Sequence, residues 1–238
     1  MRSLIIDQGN SRTKLAWSEK GNLEVLPLAD SLEAALEGLT HRPARVWLSS
    51  VADHKRTGKV SQAIDARWGL PVEQVSVPRY QRHLPTRYVA GQLGVDRWLA
   101  MLACVGLSQG PCLVVDAGTA ITLDLVSAQG EHQGGYILPG LELSRQALLK
   151  GTAIAMPPRE GAVQAGLATD TGAAISQGIQ LSVLALIERL QAQSGGQTQV
   201  FLGGGDAARL SNALALPHRV LDSMVLRGLS RLASLETG

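Results

Sequence analysis

Two aspartates close short apolar runs, and each is followed two residues later by glycine. Asp7 comes after Leu4-Ile5-Ile6 and precedes Gly9; Asp116 comes after Leu113-Val114-Val115 and precedes Gly118. A carboxylate in that place has just left an apolar layer and points into a cleft. The glycine permits a tight turn and lets a bulky anion come close to the backbone. Asn10, Ser11, Thr119 and Thr122 add small hydrogen-bonding groups beside exposed amides, an environment suited to phosphate oxygens. Arg12 and Lys14, just beyond the first turn, stand where they would neutralise phosphate charge. Two acidic turns facing each other would hold a polyphosphate and its cations. Either turn alone is equally readable as an ordinary β-turn, for which Asp and Gly are common residues; the recurrence argues for more.

The recurrence is a repeat. Laid over each other, the two stretches match Leu4 with Leu113, Asp7 with Asp116, Gly9 with Gly118 and Thr13 with Thr122. Such a repeat predicts two similar halves. Wholly apolar runs of this length read as strands buried on both faces. Around them the pattern alternates. A helix is expected from Ser31, a strand over Arg45–Ser50, a helix over Val60–Trp68 and a strand over Pro71–Val77. This order favours a layered sheet with helices packed on it. Pro111 breaks the chain before the second copy, so the halves are expected to be residues 1–110 and 111–238.

A third carboxylate lies between the copies. From Val95 to Val105 the apolar residues keep helical spacing, which puts Asp96 and Arg97 in a first turn where the helix dipole favours negative charge. A cap without chemistry is the plain alternative. Farther on, Gly134–Gly140 reads as a rigid loop, and a long helix is expected from about Thr169 to Gln193, capped by Asp170 or Thr171. Gly203-Gly204-Gly205-Asp206 forms a strand–glycine–helix junction, a candidate nucleotide contact. Leu221–Leu235 reads as an amphipathic last helix.

Composition narrows the class. At 238 residues and 45% hydrophobic, the chain can build a full core, and with aromatics at 3% that core is mostly aliphatic. A net charge of +2 from scattered basic residues gives no footprint for nucleic acid. No apolar run is long enough to span a membrane, and no leader pattern precedes the first strand. Cys104 and Cys112 sit in apolar surroundings without metal-ligand spacing and read as reduced thiols. The expectation is a cytoplasmic globular protein.

These residues together resemble a known family. Asp7-Gln8-Gly9-Asn10-Ser11, Gly94-Val95-Asp96-Arg97-Trp98, Asp116-Ala117-Gly118-Thr119-Ala120, Gly134–Gly140 and Thr171-Gly172-Ala173-Ala174-Ile175 are similar to the motifs of type III pantothenate kinases. That family lies within the superfamily of acetate and sugar kinases, actin and the heat-shock ATPases. The resemblance implies two related α/β lobes of the actin-like, acetate-and-sugar-kinase fold, duplicated ribonuclease-H-like domains with a cleft between them. It implies ATP-dependent phosphorylation of pantothenate, with Mg²⁺ accompanying ATP and K⁺ or NH₄⁺ as a second cation. Asp7, Gln8, Gly9, Asn10, Ser11, Arg12, Thr13 and Lys14 would form the first ATP loop, and Thr119 would meet the phosphates. Asp116 would lie at the monovalent-cation site. Gly94, Val95, Asp96, Arg97 and Thr171 would line the pantothenate pocket, with Asp96 as the base. Tyr88 is the nearest match to a substrate-contacting tyrosine, one residue closer to Gly94 than the family pattern. The family is typically dimeric, with the substrate pocket near the subunit interface. A nucleotide-binding regulator on the same scaffold, or a kinase of another small hydroxyl compound, are the alternatives.

Overall fold

The computed structural model describes residues 2–9, 13–27, 31–153, 166–194 and 196–237. The chain divides into two compact units. One comprises the residues up to Leu107 together with those from Ser223 onward; the other is Ser108–Asp222.

The first unit is built on a five-stranded sheet. Strand β1 (Ser3–Gln8) pairs antiparallel with β2 (Thr13–Glu19), which pairs with β3 (Asn22–Val25); on its other side β1 runs parallel to β4 (Arg45–Ser50), and β4 to β5 (Val72–Gln74). Alternation decides what each face buries. Leu4, Ile6, Leu15, Trp17, Val46 and Leu48 point to one face and pack with Leu36 of α1 (Leu32–Glu37) and Val60 and Ile64 of α2 (His54–Trp68). Ser31 caps α1 as expected, accepting from the Ala34 amide at 3.0 Å. Helix α2 starts six residues earlier than the apolar spacing suggests, because Asp53 caps it by accepting from the Arg56 amide at 2.9 Å. A short turn α3 (Val77–Tyr80) leads into the segment before α4 (Val95–Val105), whose bounds are those read from the spacing.

The second unit repeats the plan. Its strands are β6 (Cys112–Ala117), β7 (Ala120–Val126), β8 (His132–Pro139), β9 (Gln199–Gly203) and β10 (His218–Val220). The sheet orders are β3-β2-β1-β4-β5 and, read in the matching direction, β8-β7-β6-β9-β10. The duplication seen in the sequence is therefore a duplication of topology. One face of this sheet, with Leu113, Val115, Ile121, Leu123, Val200 and Leu202, is covered by α5 (Leu141–Gly151), α6 (Thr171–Gln193) and α7 (Ala207–Ser211).

Three expectations need correction. The Gly134–Gly140 stretch is mostly strand, not loop: residues up to Pro139 ladder onto β7, with a register shift at Leu125/Val126. Backbone pairing at a sheet edge needs no side chain, so glycine does not prevent it. The final helix α8 (Met224–Leu235) packs on the sheet of the first unit and on α4, so the second unit ends at Asp222 and not at residue 238. The fit is close: a Cβ at Gly228 would collide with the backbone of Leu99, and Ser18 and Ser230 share a hydrogen bond of 2.6 Å. Glu236 at the end of the helix binds His83 and Arg82, and the hydrogen bond from His83 holds its carboxyl below the usual range. The third correction concerns the overlay of the two hairpins. Asp7 pairs with Lys14 and Asp116 with Thr122, so the first turn is one residue longer. Thr13 pairs with Gln8 and lies on the sheet face away from Asp7; Lys14, not Thr13, is the counterpart of Thr122.

Both cysteines are buried thiols, and burial pushes Cys112 up to about 12.

Candidate active site

In the first unit the end of β1 is braced from α2. Gln8 sits on the α2 face, where its Oε1 accepts from Ser50 Oγ at 3.0 Å and its Nε2 donates to the Arg56 carbonyl at 3.3 Å. Ser50 in turn shares a 2.8 Å hydrogen bond with Thr57, and Arg56 Nη2 donates to the Gly9 carbonyl at 3.3 Å. Gln8 and Gly9, at the end of β1, are thus held by a helix some forty residues away in sequence. Asp7, by alternation, lies on the opposite face between Lys14 and Ser49. Asn10, Ser11 and Arg12 lie outside the described residues. Ser50, Arg56 and Thr57 are members of this site that sequence reasoning misses; a Ser-Ser pair at a strand end and a helix-capping Asp53 are generic signals that point to no particular turn.

At the head of α4, Gly94 is the cap residue and offers no side chain. Asp96 supplies the missing acceptor, its Oδ1 receiving the Arg97 amide at 2.8 Å. The carboxylate folds back so far that a Cβ at Gly94 would lie 2.5 Å from Oδ1. Glycine at 94 is therefore what leaves room for this carboxylate. Arg97 is buried, a costly place for a guanidinium unless it is hydrogen-bonded. It donates to Tyr88 Oη at 3.2 Å, with the guanidinium carbon 5.2 Å from the tyrosine ring centre. Tyr88, Gly94, Asp96 and Arg97 thus form one cluster, and Val95 is buried beneath them. Trp98 anchors the helix by donating from Nε1 to the Leu84 carbonyl at 3.0 Å.

In the second unit the turn after β6 is framed by two glycines distant in sequence. A Cβ at Gly204, where φ is +89°, would collide with the Ala117 carbonyl and lie 2.6 Å from Asp116 Oδ1. A Cβ at Gly140 would collide with the Gly118 carbonyl and lie 2.6 Å from that of Thr119. The amides of Gly140 and Asp206 donate to the carbonyls of Thr119 and Ala117 at 2.9 and 3.0 Å. The spatial demand for glycine falls on these two positions, whereas Gly118 itself has no close neighbour beyond the Ala120 carbonyl at 3.6 Å. Asp116 and the carbonyls of the turn make an oxygen-rich rim, and the Thr119 side chain is exposed beside it. Thr171 also belongs to this unit, as the first residue of α6; Asp170, not Thr171, is the cap, accepting from the Ala173 amide at 2.9 Å. Among the described residues no three His, Cys, Asp or Glu side chains gather as a metal cluster.

Comparison with known proteins gives these features a common origin. A sequence profile of the type III pantothenate kinase family matches residues 3–193. The chain is 35% identical over 238 residues to a type III pantothenate kinase of Marinobacter nauticus, covering 97% of this chain and 98% of the relative. It is 34% identical over 241 residues to one of Chromobacterium violaceum, covering 97% and 99%. By structure it is similar to a conserved Campylobacter jejuni protein assigned to the Baf family of transcriptional activators, with 98% of both chains covered, a TM-score of 0.65 and 20% identity. At that identity the likeness bears on the fold alone, an α/β architecture with two five-stranded mixed sheets. The sequence matches run nearly end to end, and the chain belongs to the type III pantothenate kinase family.

Proposed function

We infer that the protein transfers the γ-phosphoryl group of ATP to the primary hydroxyl of pantothenate, giving 4'-phosphopantothenate, the first step of coenzyme A synthesis. The observation that carries this reading is the Gly94–Trp98 stretch. It has the family's sequence and a carboxylate lodged over a glycine at the start of a buried helix. In this reading Asp96 accepts the proton of the attacking hydroxyl. Arg97, held by Tyr88, binds the pantothenate carboxylate or orients Asp96. Lys14 and the amides of the turn around Gly9 and Thr119 neutralise and align the phosphates. Phosphoryl transfer relies chiefly on such positioning and charge neutralisation. Gly205 has nothing within 4 Å of a Cβ position, which leaves its backbone open to the nucleoside side of ATP.

The donor sets fit two cations of different kinds. Asp7 is a single, partly exposed carboxylate, suited to Mg²⁺ that arrives with the nucleotide and keeps much of its water; such an ion would offset charge on the phosphates. Asp116 with the turn carbonyls offers the hard oxygens that K⁺ or NH₄⁺ prefers. Activity is accordingly expected to need a monovalent cation: turnover should fall when K⁺ is replaced by Na⁺, and full turnover in Na⁺ with K⁺ verified absent would refute the assignment of Asp116.

The protein is proposed to be a homodimer in which Thr171 completes a substrate pocket. Thr171 lies in a shallow groove with Leu148, Ile175 and Ile179, close to exposed Leu181, and apolar surface of this kind is typical of an interface. Sedimentation would show the dimer. The reaction itself is tested by ADP release with a panel of acceptors. Turnover is expected with pantothenate and not with acetate, glycerol or hexoses; nucleotide binding with no turnover on any acceptor would favour a regulator instead.

A further inference from the structure

Among the described residues, two buried side-chain polar atoms have no hydrogen-bond partner: Trp47 Nε1 and Ser49 Oγ. Both are on β4, and Ser49 is at its carboxyl end, wholly inaccessible to solvent. Its neighbour Ser50 shows what this strand end does when it is satisfied. Ser50 pairs in register with Gln8, and their side chains are hydrogen-bonded on the α2 face. One residue back, Ser49 pairs with Asp7, so these two side chains share the opposite face. Lys14 flanks Asp7 from the other side. Serine, aspartate and lysine therefore stand in one row across three strands.

The second unit supplies an internal control. The residue paired with Asp116 in the corresponding place is Gly203, and the one across from it is Thr122. The fold accepts glycine at this position of the ladder, so a hydroxyl is not needed to build it. A buried hydroxyl with no partner lowers stability. Its presence beside Asp7 alone calls for a partner.

We propose that Ser49 is a positioning residue for Asp7. Its hydroxyl donates to the Asp7 carboxylate when that carboxylate turns toward the hydrated divalent cation carried by a nucleoside triphosphate. The proposal rests on the reading of Asp7 given above. The hydroxyl fixes one carboxylate oxygen and leaves the other to accept from metal-bound water, while Lys14 balances the charge. A hydrogen bond to an ionised group is about twice as strong as a neutral one, which makes one hydroxyl enough to select a rotamer.

The test uses Ser49→Ala and Ser49→Cys in the full-length protein, the second keeping nearly the same shape. Calorimetric titration with a non-hydrolysable ATP analogue at rising Mg²⁺ gives the cation concentration for half-maximal binding; thermal melting without ligand gives the folding effect. In both variants that concentration is expected to rise about tenfold, while the ligand-free melting temperature stays level or rises by about 2–4 °C. Ser49→Thr, which keeps the hydroxyl, should restore Mg²⁺ dependence. Unchanged Mg²⁺ dependence in a folded Ser49→Ala protein would overturn the proposal, and so would a lowered melting point without a change in Mg²⁺ dependence. Asp7→Asn separates the two layers. If it weakens Mg²⁺-dependent binding and the Ser49 variants do not, only the role of Ser49 fails; if it too has no effect, the reading of Asp7 falls and that of Ser49 with it.

Discussion

Replacing Asp96 by Asn is expected to lower turnover by about 10²-fold or more while leaving the protein folded. The structure makes this a clean comparison. The carboxylate oxygen that accepts from the Arg97 amide at 2.8 Å has an equivalent in the asparagine side chain, and Asn is as good a helix-start residue as Asp. The variant fits the same space over Gly94 and still hydrogen-bonds a substrate hydroxyl. What it loses is negative charge and the ability to take a proton. Pantothenate affinity should therefore change little, and the loss should fall on kcat. The measurements are kcat at saturating ATP and pantothenate, and a melting temperature as folding control. Near wild-type kcat in a folded variant would reduce Asp96 to a cap. Asp124 would not inherit the role: it is buried in β7, with its carboxylate 3.0 Å from His132 Nε2. Asp7 would be the next carboxylate to test.

That Asp124–His132 pair gives the largest expected effect on stability. Both residues are essentially inaccessible to solvent, and they share a sheet face with Cys112, Val114 and Phe201. Removing one partner of a buried pair strands the other in a medium that solvates it poorly, and typically costs about 3–5 kcal/mol. His132→Ala is expected to destabilise the protein by that order. The double replacement Asp124→Leu/His132→Leu should be less damaging than the single one, because it leaves no buried carboxylate behind. The probe matters. All four tryptophans, at positions 17, 47, 68 and 98, lie in the first unit, so tryptophan fluorescence reports on that unit. Circular dichroism across a urea titration covers both. A His132→Ala protein with an unchanged transition would show that the pair contributes nothing.

Much of this is legible in the sequence because it is local. The bounds of α4 follow from apolar spacing, and Asp96 in its first turn follows from them. The caps at Ser31 and Asp170 are short-range chemistry. Repetition reveals the two Asp-x-Gly turns, and the matching sheet orders show why: the same ladder is built twice. What is not legible depends on contacts between distant segments. The space that forces glycine at 140 and 204 is set by carbonyls of residues 117–119, and no local pattern reveals it. The one-residue difference in turn length swaps Thr13 for Lys14 on the face of Asp7, and an ungapped overlay hides that swap. Gln8 reads as one of the ATP-loop residues, but its links to Ser50 and to α2 exist only once β1 and β4 lie side by side. Proximity in sequence puts the last helix with the second half, although its partners are α4 and the first sheet.

That last helix has a consequence for how the protein is made. The second unit is continuous, Ser108–Asp222, and all the strands and helices that enclose its core are synthesised in one run. The first unit is not. Its sheet and α4 leave the ribosome early, but the helix that packs on them is encoded after the whole of the second unit. Until that helix is made, α4 lacks the partner that fits against Leu99, and an apolar face stays uncovered while the second unit is added. Domains that complete early can fold early during synthesis, and exposed apolar surface in the interval invites association and chaperone binding. The order of assembly is thus inverted: the half that begins first is finished last. A messenger truncated before Ser223 would yield a protein that carries Asp7 and the Asp96 helix on a sheet stripped of the helix that packs on four of its strands.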